Sequence, residues 1–332
     1  MTTAAGGPTQ LHGALREARA AATAARCDKF FPTLIEKART LPPIHVGVVH
    51  PCDAPSLEGA LAARDAGLIV PVLIGPRAKI EATARQAGVS LDNVEIVDVP
   101  HSHAAAEEAV ALVRLGKLAA LMKGALHTDE LMSAVVREKV GLRTDRRISH
   151  VFVLDVPTYC KPLMVTDAAI NIAPDLAVKR DIVRNAIDLA HAIGIARPKV
   201  AILSAVETVE AKIPSTIEAA ALCKMADRGQ ITGADLDGPL AFDNAISPLA
   251  AAAKHIVSPV AGDADILVAP DLEAGNILAK QFAFLGGAGT AGLVLGARVP
   301  IVLTSRADDI DSRVVSSALA QLFAHRKREP LG

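Results

Sequence analysis

At 332 residues, with 51% hydrophobic and 21% charged side chains, the chain is long enough for two packed domains and too apolar for disorder. Lys and Arg number 35 against 36 Asp and Glu, so the formal net charge of −1 supplies no basic field to hold a polyanion. Without tryptophan, and with one tyrosine, it lacks the stacking platforms that single-stranded nucleic acid requires. The basic cluster HRKRE at 325–329 fits a solvated helix end complementing the macrodipole. No apolar run reaches the roughly 18 residues needed to span a bilayer, and MTTAAGGPTQ carries neither part of a secretory signal. Cys27, Cys52, Cys160 and Cys223 are scattered, which fits small buried thiols and a cytoplasmic location better than disulfides or zinc.

In chain order, residues 9–40 are expected to form one or two helices. Strands follow at IHVGVVH (44–50), IVPVLIG (69–75), NVEIVDV (93–99) and LAALMKG (118–124), with helices near 55–67, 77–88 and 103–116. This β-α-β-α order calls for a parallel sheet with right-handed crossovers. A second series runs HVFVLDV (150–156), PLMVTDA (162–168), a helix near 175–194, KVAILSA (199–205), a helix near 215–228 and ADILVAP (264–270). It continues with a helix near 273–285, AGLVLGA (291–297), PIVLT (300–304) and a last helix. Ser215 and Glu218 have capping-box spacing. No flexible linker separates the series, so a tight join with a cleft between two α/β domains is expected.

Polar residues gather at strand ends, where open α/β sheets bind ligands. In MKGALHT (122–128), Lys123, Gly124, His127 and Thr128 lie between a strand and a helix. Thr128 can cap that helix, and Asp129 and Glu130 suit its first turn. A helix N-terminus beside a lysine is equally an anion site. PDLEAGNIL (270–278) places Asp271, Glu273 and Asn276 at another strand end, each of which can be a cap or a solvated residue. LGGAGTAGLVLG (285–296) lacks the P-loop ending and follows a helix rather than a strand, so it reads as a helix C-cap and turn. In VPIVLTSRADDIDSR (299–313), Ser305 can cap with Asp308 as its N3 partner, or Ser305-Arg306 can meet a ligand, since a guanidinium suits phosphate. No dedicated metal motif is present, although carboxylates at strand ends leave magnesium open.

LMKGALHTDELMSAVV, PLMVTDAAINIAPDL, SPVAGDADILVAPDLEAGNILAKQ and LTSRAD, in that order, resemble the phosphate acetyl/butyryl transferase family over roughly residues 45–320. Within it the chain is most similar to the transacylase half of fused enoyl-CoA hydratase/phosphate acetyltransferases, without the hydratase half. The resemblance implies an α/β fold of two α/β/α domains with mainly parallel sheets and an interdomain cleft, like the isocitrate/isopropylmalate dehydrogenases. The first domain would comprise 1–145 plus 298–332 and the inserted second domain 146–297, with homodimers pairing through the second. It implies reversible transfer of a short acyl group, acetyl favoured, between coenzyme A and orthophosphate. CoA would be a substrate, with no tightly bound cofactor, metal, nucleic-acid or membrane partner. Alternatives are a butyryltransferase or a non-catalytic CoA-binding or scaffolding subunit. Metal-dependent decarboxylating dehydrogenases share the architecture, but their clustered aspartates and arginines are missing.

The family's serine-arginine pair matches Ser305-Arg306, implying transition-state stabilisation by the serine and phosphate or CoA binding by the arginine. The acetyltransferases' downstream aspartate falls on Ser312, with Asp311 beside it, a departure shared with the butyryl branch. A carboxylate is still wanted to take the CoA thiol proton, because a free thiol near pKa ~8.5 is mostly protonated at neutral pH. Asp311 is the first candidate, with Asp308 and Glu273 in reserve. Lys123, His127, Thr128 and Asn276 complete the expected substrate site. The nucleophile belongs to CoA, so none of the four cysteines is required.

Overall fold

The computed structural model describes residues 29–304 and 309–328. The expected helices before residue 29, Cys27, Ser305, Arg306 and Asp308 therefore lie outside the described residues.

After α1 (Phe30–Arg39), the strands β1 (Ile44–Val49), β2 (Ile69–Gly75), β3 (Glu95–Asp98) and β4 (Ala120–Lys123) pair in parallel in the order β3-β2-β1-β4. Their connections are the helices α2 (Ala54–Asp65), α3 (Arg77–Ala87) and α4 (Ser102–Arg114). Apolar residues run almost unbroken through β1, β2 and β4, as burial on both sheet faces requires. Local chemistry bounds the helices: Asp53 accepts from the Ser56 N–H at 3.0 Å to start α2, and Gly88, at φ 67°, ends α3 in the left-handed region.

α5 (Thr128–Val135) leads to β5 (Ser149–Asp155) and β6 (Leu163–Thr166). Next come α6 (Leu176–Ile193), β7 (Lys199–Leu203), α7 (Pro214–Asp227) and β8 (Asp235–Leu240). The short α8 (Phe242–Ile246) and α9 (Pro248–Ala253) precede β9 (Ile266–Val268) and α10 (Leu272–Phe284). The chain closes with β10 (Gly289–Leu295), β11 (Ile301–Val302) and α11 (Ile310–Arg328). β11 pairs in parallel with β4, and β10 pairs antiparallel with both β11 and β5. All strands thereby join one sheet in the order β3-β2-β1-β4-β11-β10-β5-β6-β9-β7-β8. Two of the antiparallel pairs have short connections, residues 296–300 between β10 and β11 and 156–162 between β5 and β6, whereas the third, β10 with β5, joins strands far apart in the chain. Helical crossovers give the parallel pairs. α11 packs on α1, α2, α6 and β10, and its buried Gln321 donates from Nε2 to the carbonyls of Leu41 (3.1 Å) and Pro42 (2.9 Å). Among the described residues no helix is long and apolar enough to cross a membrane.

Three local expectations are corrected. Ser215 does not cap α7: Pro214 opens that helix, the Ser215 hydroxyl meets that of Ser204 at 2.9 Å, and Glu218 instead pairs with the buried Lys179 of α6. β8 was not foreseen, because DLDGPL alternates acidic and apolar residues around Gly-Pro. Such a sequence is tolerated at a sheet edge, where the proline's missing N–H costs no ladder bond. Cys160 is disulfide-bonded rather than a reduced thiol, whereas Cys52 and Cys223 are free.

The loop after β6 is seated directly on α10. A Cβ at Gly275 would overlap the Asp167 carbonyl oxygen, so the helix can approach only as glycine. Gly275→Ala should destabilise the fold by about 1–3 kcal/mol, the usual cost of overpacking, as measured by urea unfolding. An unchanged midpoint would show that the loop yields freely.

Candidate active site

The pairings Leu121↔Ile301 and Met122↔Val302 make Lys123 and Leu303 leave the sheet abreast, at the carboxyl ends of β4 and β11. Lys123 is buried, with Nζ 3.4 Å from the Gly124 carbonyl. The chain then folds onto the end of β1: the Gly124 N–H donates to Val49 O at 2.9 Å and the Ala125 N–H to His50 O at 2.8 Å. A Cβ at Gly124 would sit 2.5 Å and 2.6 Å from those two oxygens. His50, itself at φ 55°, places Nδ1 3.3 Å from the Ala125 carbonyl. Burial lowers its pKa, against the opposing effect of that contact.

This turn delivers the N-terminus of α5, and here the expected cap is displaced by one residue. His127 is the N-cap and Thr128 is the first helical residue. The Glu130 carboxylate accepts from the His127 N–H at 3.4 Å and from the Ser102 hydroxyl at 2.5 Å. The Ser102 bond, first of all, holds the Glu130 pKa below the ordinary carboxylate value. Lys123, His127 and Thr128 thus all lie in the short segment from the end of β4 to the first turn of α5.

On the β11 side, Thr304 is buried and its Oγ1 accepts from Arg313 Nη1 at 2.6 Å. α11 starts at Ile310, and the side chain accepting in its first turn is Asp309, from the Ser312 N–H at 2.8 Å. Asp311 is exposed and lines an open cleft of about 1050 Å³ with Asp155, Pro157, Thr290 and Ser312. Thr128 and Asp129 line a second cleft, of about 780 Å³, with Arg143, Arg147, Asn171 and Arg180. The chain linking Thr304 to Asp309 thus has Lys123 beside its start and the Asp311 cleft at its end.

Asn276 comes from a later element. It lies on α10, and its amide donates to the Ala168 carbonyl at 3.0 Å; residues 169–171 of that loop line the cleft of Thr128. Asp271 is the N-cap of α10, accepting from the Ala274 N–H at 2.8 Å, and Glu273 is exposed in its first turn. Among the described residues no group of three or more His, Cys, Asp and Glu side chains is placed to hold a metal ion.

Two buried polar residues were missed in the sequence. The Asp167 carboxylate accepts from the backbone N–H groups of His150 (3.2 Å), Ala169 (3.0 Å), Ile170 (3.2 Å) and Asn171 (3.0 Å), and from Asn171 Nδ2 (2.6 Å). It organises the whole turn, and an Asp followed by small residues at a strand end was the available signal. His150 is fully buried on β5, edge-on to Phe152 with ring centroids 4.4 Å apart and against Gly292 of β10. Burial lowers its pKa to about 4, against the opposing Asp167 charge and Leu303 carbonyl.

Residues 103–321 match the family described as phosphate acetyl/butaryl transferase. The chain belongs to the phosphate acetyl/butyryl transferase family. It is 64% identical over 298 residues to the phosphate acetyltransferase of Rhizobium meliloti, covering 90% of this chain and 94% of that one. The phosphate acetyltransferase of Rickettsia prowazekii is 59% identical over 304 residues (91% and 87%). The phosphate butyryltransferase of Clostridium acetobutylicum is 41% identical over 299 residues (90% and 99%). Among solved structures, a branched-chain phosphotransacylase from Enterococcus faecalis V583 superposes with a TM-score of 0.75 at 32% identity, over 85% of this chain and 99% of that one. The 4-hydroxythreonine-4-phosphate dehydrogenase of Klebsiella pneumoniae, at TM-score 0.53 and 14% identity over 85% and 99%, shares the fold alone.

His150 gives this transferase an acid-labile core. Its folded pKa, about 4, lies below the unfolded value near ~6.5, so between these two values the unfolded chain takes the proton and the folded chain does not. Stability should fall by about 3 kcal/mol as the pH drops from 6.5 to 4, with no such change above pH 7. Replacing His150 by Phe should flatten that decline in chemical denaturation by as much as one proton. An unaltered pH slope in the variant would assign the acid lability to other groups.

Proposed function

We propose that this chain is a phosphate acetyltransferase, catalysing reversible transfer of an acetyl group between coenzyme A and orthophosphate. The observation that carries this reading is identity of 58–64% to phosphate acetyltransferases over nine-tenths of the chain, against 40–41% to two clostridial butyryltransferases over a similar span. The site supports it: a buried lysine and a helix N-terminus stand beside the strand end that runs into Ser305-Arg306. We keep the division into 1–145 plus 298–332 and an inserted 146–297, supported by the return of β11 to β4.

In the direction of acyl phosphate, an oxygen of hydrogen phosphate attacks the thioester carbon, the C–S bond breaks and the CoA sulfur leaves as a thiol, carrying the proton that the phosphate gives up. In reverse, the thiol loses that proton to a base, for which Asp311 is placed at the cleft rim, and sulfur displaces phosphate. Ser305 supplies a donor to the tetrahedral oxyanion, and Arg306 with Lys123 and the start of α5 offsets the phosphate charge. Transfer is direct, without an acyl-enzyme. Burial pushes the Cys223 thiol up to about 12 and raises that of Cys52, leaving both poor nucleophiles.

Ser305→Ala should lower turnover by at least about tenfold, within the range for one oxyanion donor. Arg306→Gln should raise the phosphate requirement, with Arg306→Lys intermediate because lysine cannot hold two oxygens in a planar fork. Steady-state kinetics with acetyl-, propionyl- and butyryl-CoA should give the highest kcat/KM for acetyl. A butyryl preference would replace the acetyl reading.

A homodimer completes the proposal. α10 exposes Ile277 (66%) and, two turns on, Phe284 (76%), followed by Leu285 (84%), all within 146–297. Ile277→Asp should shift the protein towards monomer in light scattering after size-exclusion chromatography; a dimer indifferent to it would place the contact elsewhere.

A further inference from the structure

We propose that the cleft beside the start of α5 receives the phosphate-bearing nucleotide end of coenzyme A, with Arg147 as the residue that holds a phosphate there. The proposal rests on the acetyltransferase reading, in which CoA is a substrate. CoA carries a diphosphate and a 3′-phosphate at the end remote from its thiol, so a protein that binds it needs a placed cation away from the reacting group. Two clefts have the size for it, of about 1050 and 780 Å³. The larger has an acidic wall, with Glu36, Asp155, Asp309 and Asp311 against Lys29 and Arg39, and Arg39 is already paired with Glu36 at 2.7 Å. The smaller is lined by four arginines and four aspartates, so the partners already in place decide. Arg146 pairs with Asp188, Arg180 pairs with Asp181 at 3.0 Å, and Asp175 caps α6 through the Val178 N–H at 2.8 Å. Arg143 and Arg147 remain as the cations of this cleft without an ion pair among the described residues.

Arg147 is exposed, yet three buried polar side chains hold it. The Asp181 carboxylate accepts from its N–H at 3.0 Å, Asn185 Nδ2 donates to its carbonyl at 2.9 Å, and Asn171 Oδ1 accepts from its Nε at 3.3 Å. These three residues are 6%, 2% and 8% exposed. Asn171 is itself locked, because its Nδ2 donates to the Ile148 carbonyl at 2.9 Å and to the Asp167 carboxylate at 2.6 Å. Just past β10, a Cβ at Gly296 would sit 2.4 Å from the Arg147 carbonyl oxygen, so that approach also needs glycine. Burying polar groups is costly unless they are matched, and here α6, the Asp167 turn and the end of β10 are all matched to one surface arginine. A guanidinium fixed at Nε presents its two Nη nitrogens as a planar fork suited to phosphate, and neither has a partner among the described residues. Thr128 and Asp129, at the N-terminus of α5, lie on the wall of the same cleft, which joins it to the segment of Lys123 and His127.

The test compares acetyl-CoA, acetyl-3′-dephospho-CoA and S-acetylpantetheine as acyl donors to phosphate, using the full-length chain with thermal midpoints measured alongside. Arg147→Gln should raise KM for acetyl-CoA. It should lower the ratio of kcat/KM for acetyl-CoA to that for S-acetylpantetheine by about tenfold or more, the scale of one hydrogen bond to a charged group. Arg147→Lys should fall between, since it keeps the charge and loses the fork. If the preference for acetyl-CoA over its 3′-dephospho form disappears in Arg147→Gln, the 3′-phosphate is the group held. If that preference persists while the pantetheine ratio falls, the diphosphate is. Asn171 acts as a positioning residue: Asn171→Ala should lower the same ratio in part and add little in the Arg147→Gln background, a pattern that general loosening of the fold would not give. Should Asn171→Ala not fold, the two Arg147 variants decide alone. An unchanged ratio in folded Arg147→Gln, or an equal loss with all three donors, would overturn the proposal. Absence of any phosphate-dependent acyl transfer in the wild type would instead remove the acetyltransferase reading. Calorimetric titration of acetyl-CoA into the wild type and Arg147→Gln would then still test the cleft, with equal affinities overturning it.

Discussion

The backbone pairing of β11 with β4 is short, two residues on each strand, and everything at the candidate site depends on it. It inserts the chain's late strand beside an early one and so sets Lys123 next to Leu303. It also makes one sheet of two strand series, because β10 pairs with β11 on one edge and β5 on the other. The ladder bonds alone would not hold so short a strand. α11 covers it, packing on the early helices α1 and α2 and on the later α6, so its apolar burial closes the fold and secures the site together.

Around this junction the protein buries polar groups where an apolar core would be cheaper. Asp167 collects five N–H donors, and Thr304 is met by Arg313. A hydrogen-bonded buried group adds little net stability but specifies one arrangement, since any other leaves a desolvated donor or acceptor unmet. Loops beside the clefts are thus held by side-chain chemistry that the hydrophobic effect cannot provide, being non-directional. Glycines complete the same logic. Gly124, Gly275 and Gly59 each stand where a methyl group would meet backbone or the arginine stem.

Transfer between a thiol and a phosphate asks for stabilised charge and placed donors, not a protein nucleophile. The two free cysteines, with burial-raised pKa values, accord with that demand. Cys160, being disulfide-bonded, offers no thiol either, and nothing in the proposed reaction uses it.

Much of this was legible in the residues themselves. Apolar runs placed β1, β2, β4, β5 and β7 to within a residue or two, and the cap at Asp271 and the glycine turn before β10 were visible as local patterns. The ordered motifs ending in LTSRAD pointed to the family. These features are written within a few neighbouring residues, where periodicity and capping operate. Other features were decided only in three dimensions: β8 as an edge strand, His127 rather than Thr128 as the cap, Glu218 paired with Lys179, and the Asp167 turn under His150. The contact from Arg313 to Thr304 belongs with them, because it exists only once Gly59 of a distant helix opens the way. Spacing along a chain reports which face a side chain takes within its own element. It cannot report which atoms of another element arrive there, because that depends on packing and loop closure between segments far apart in sequence.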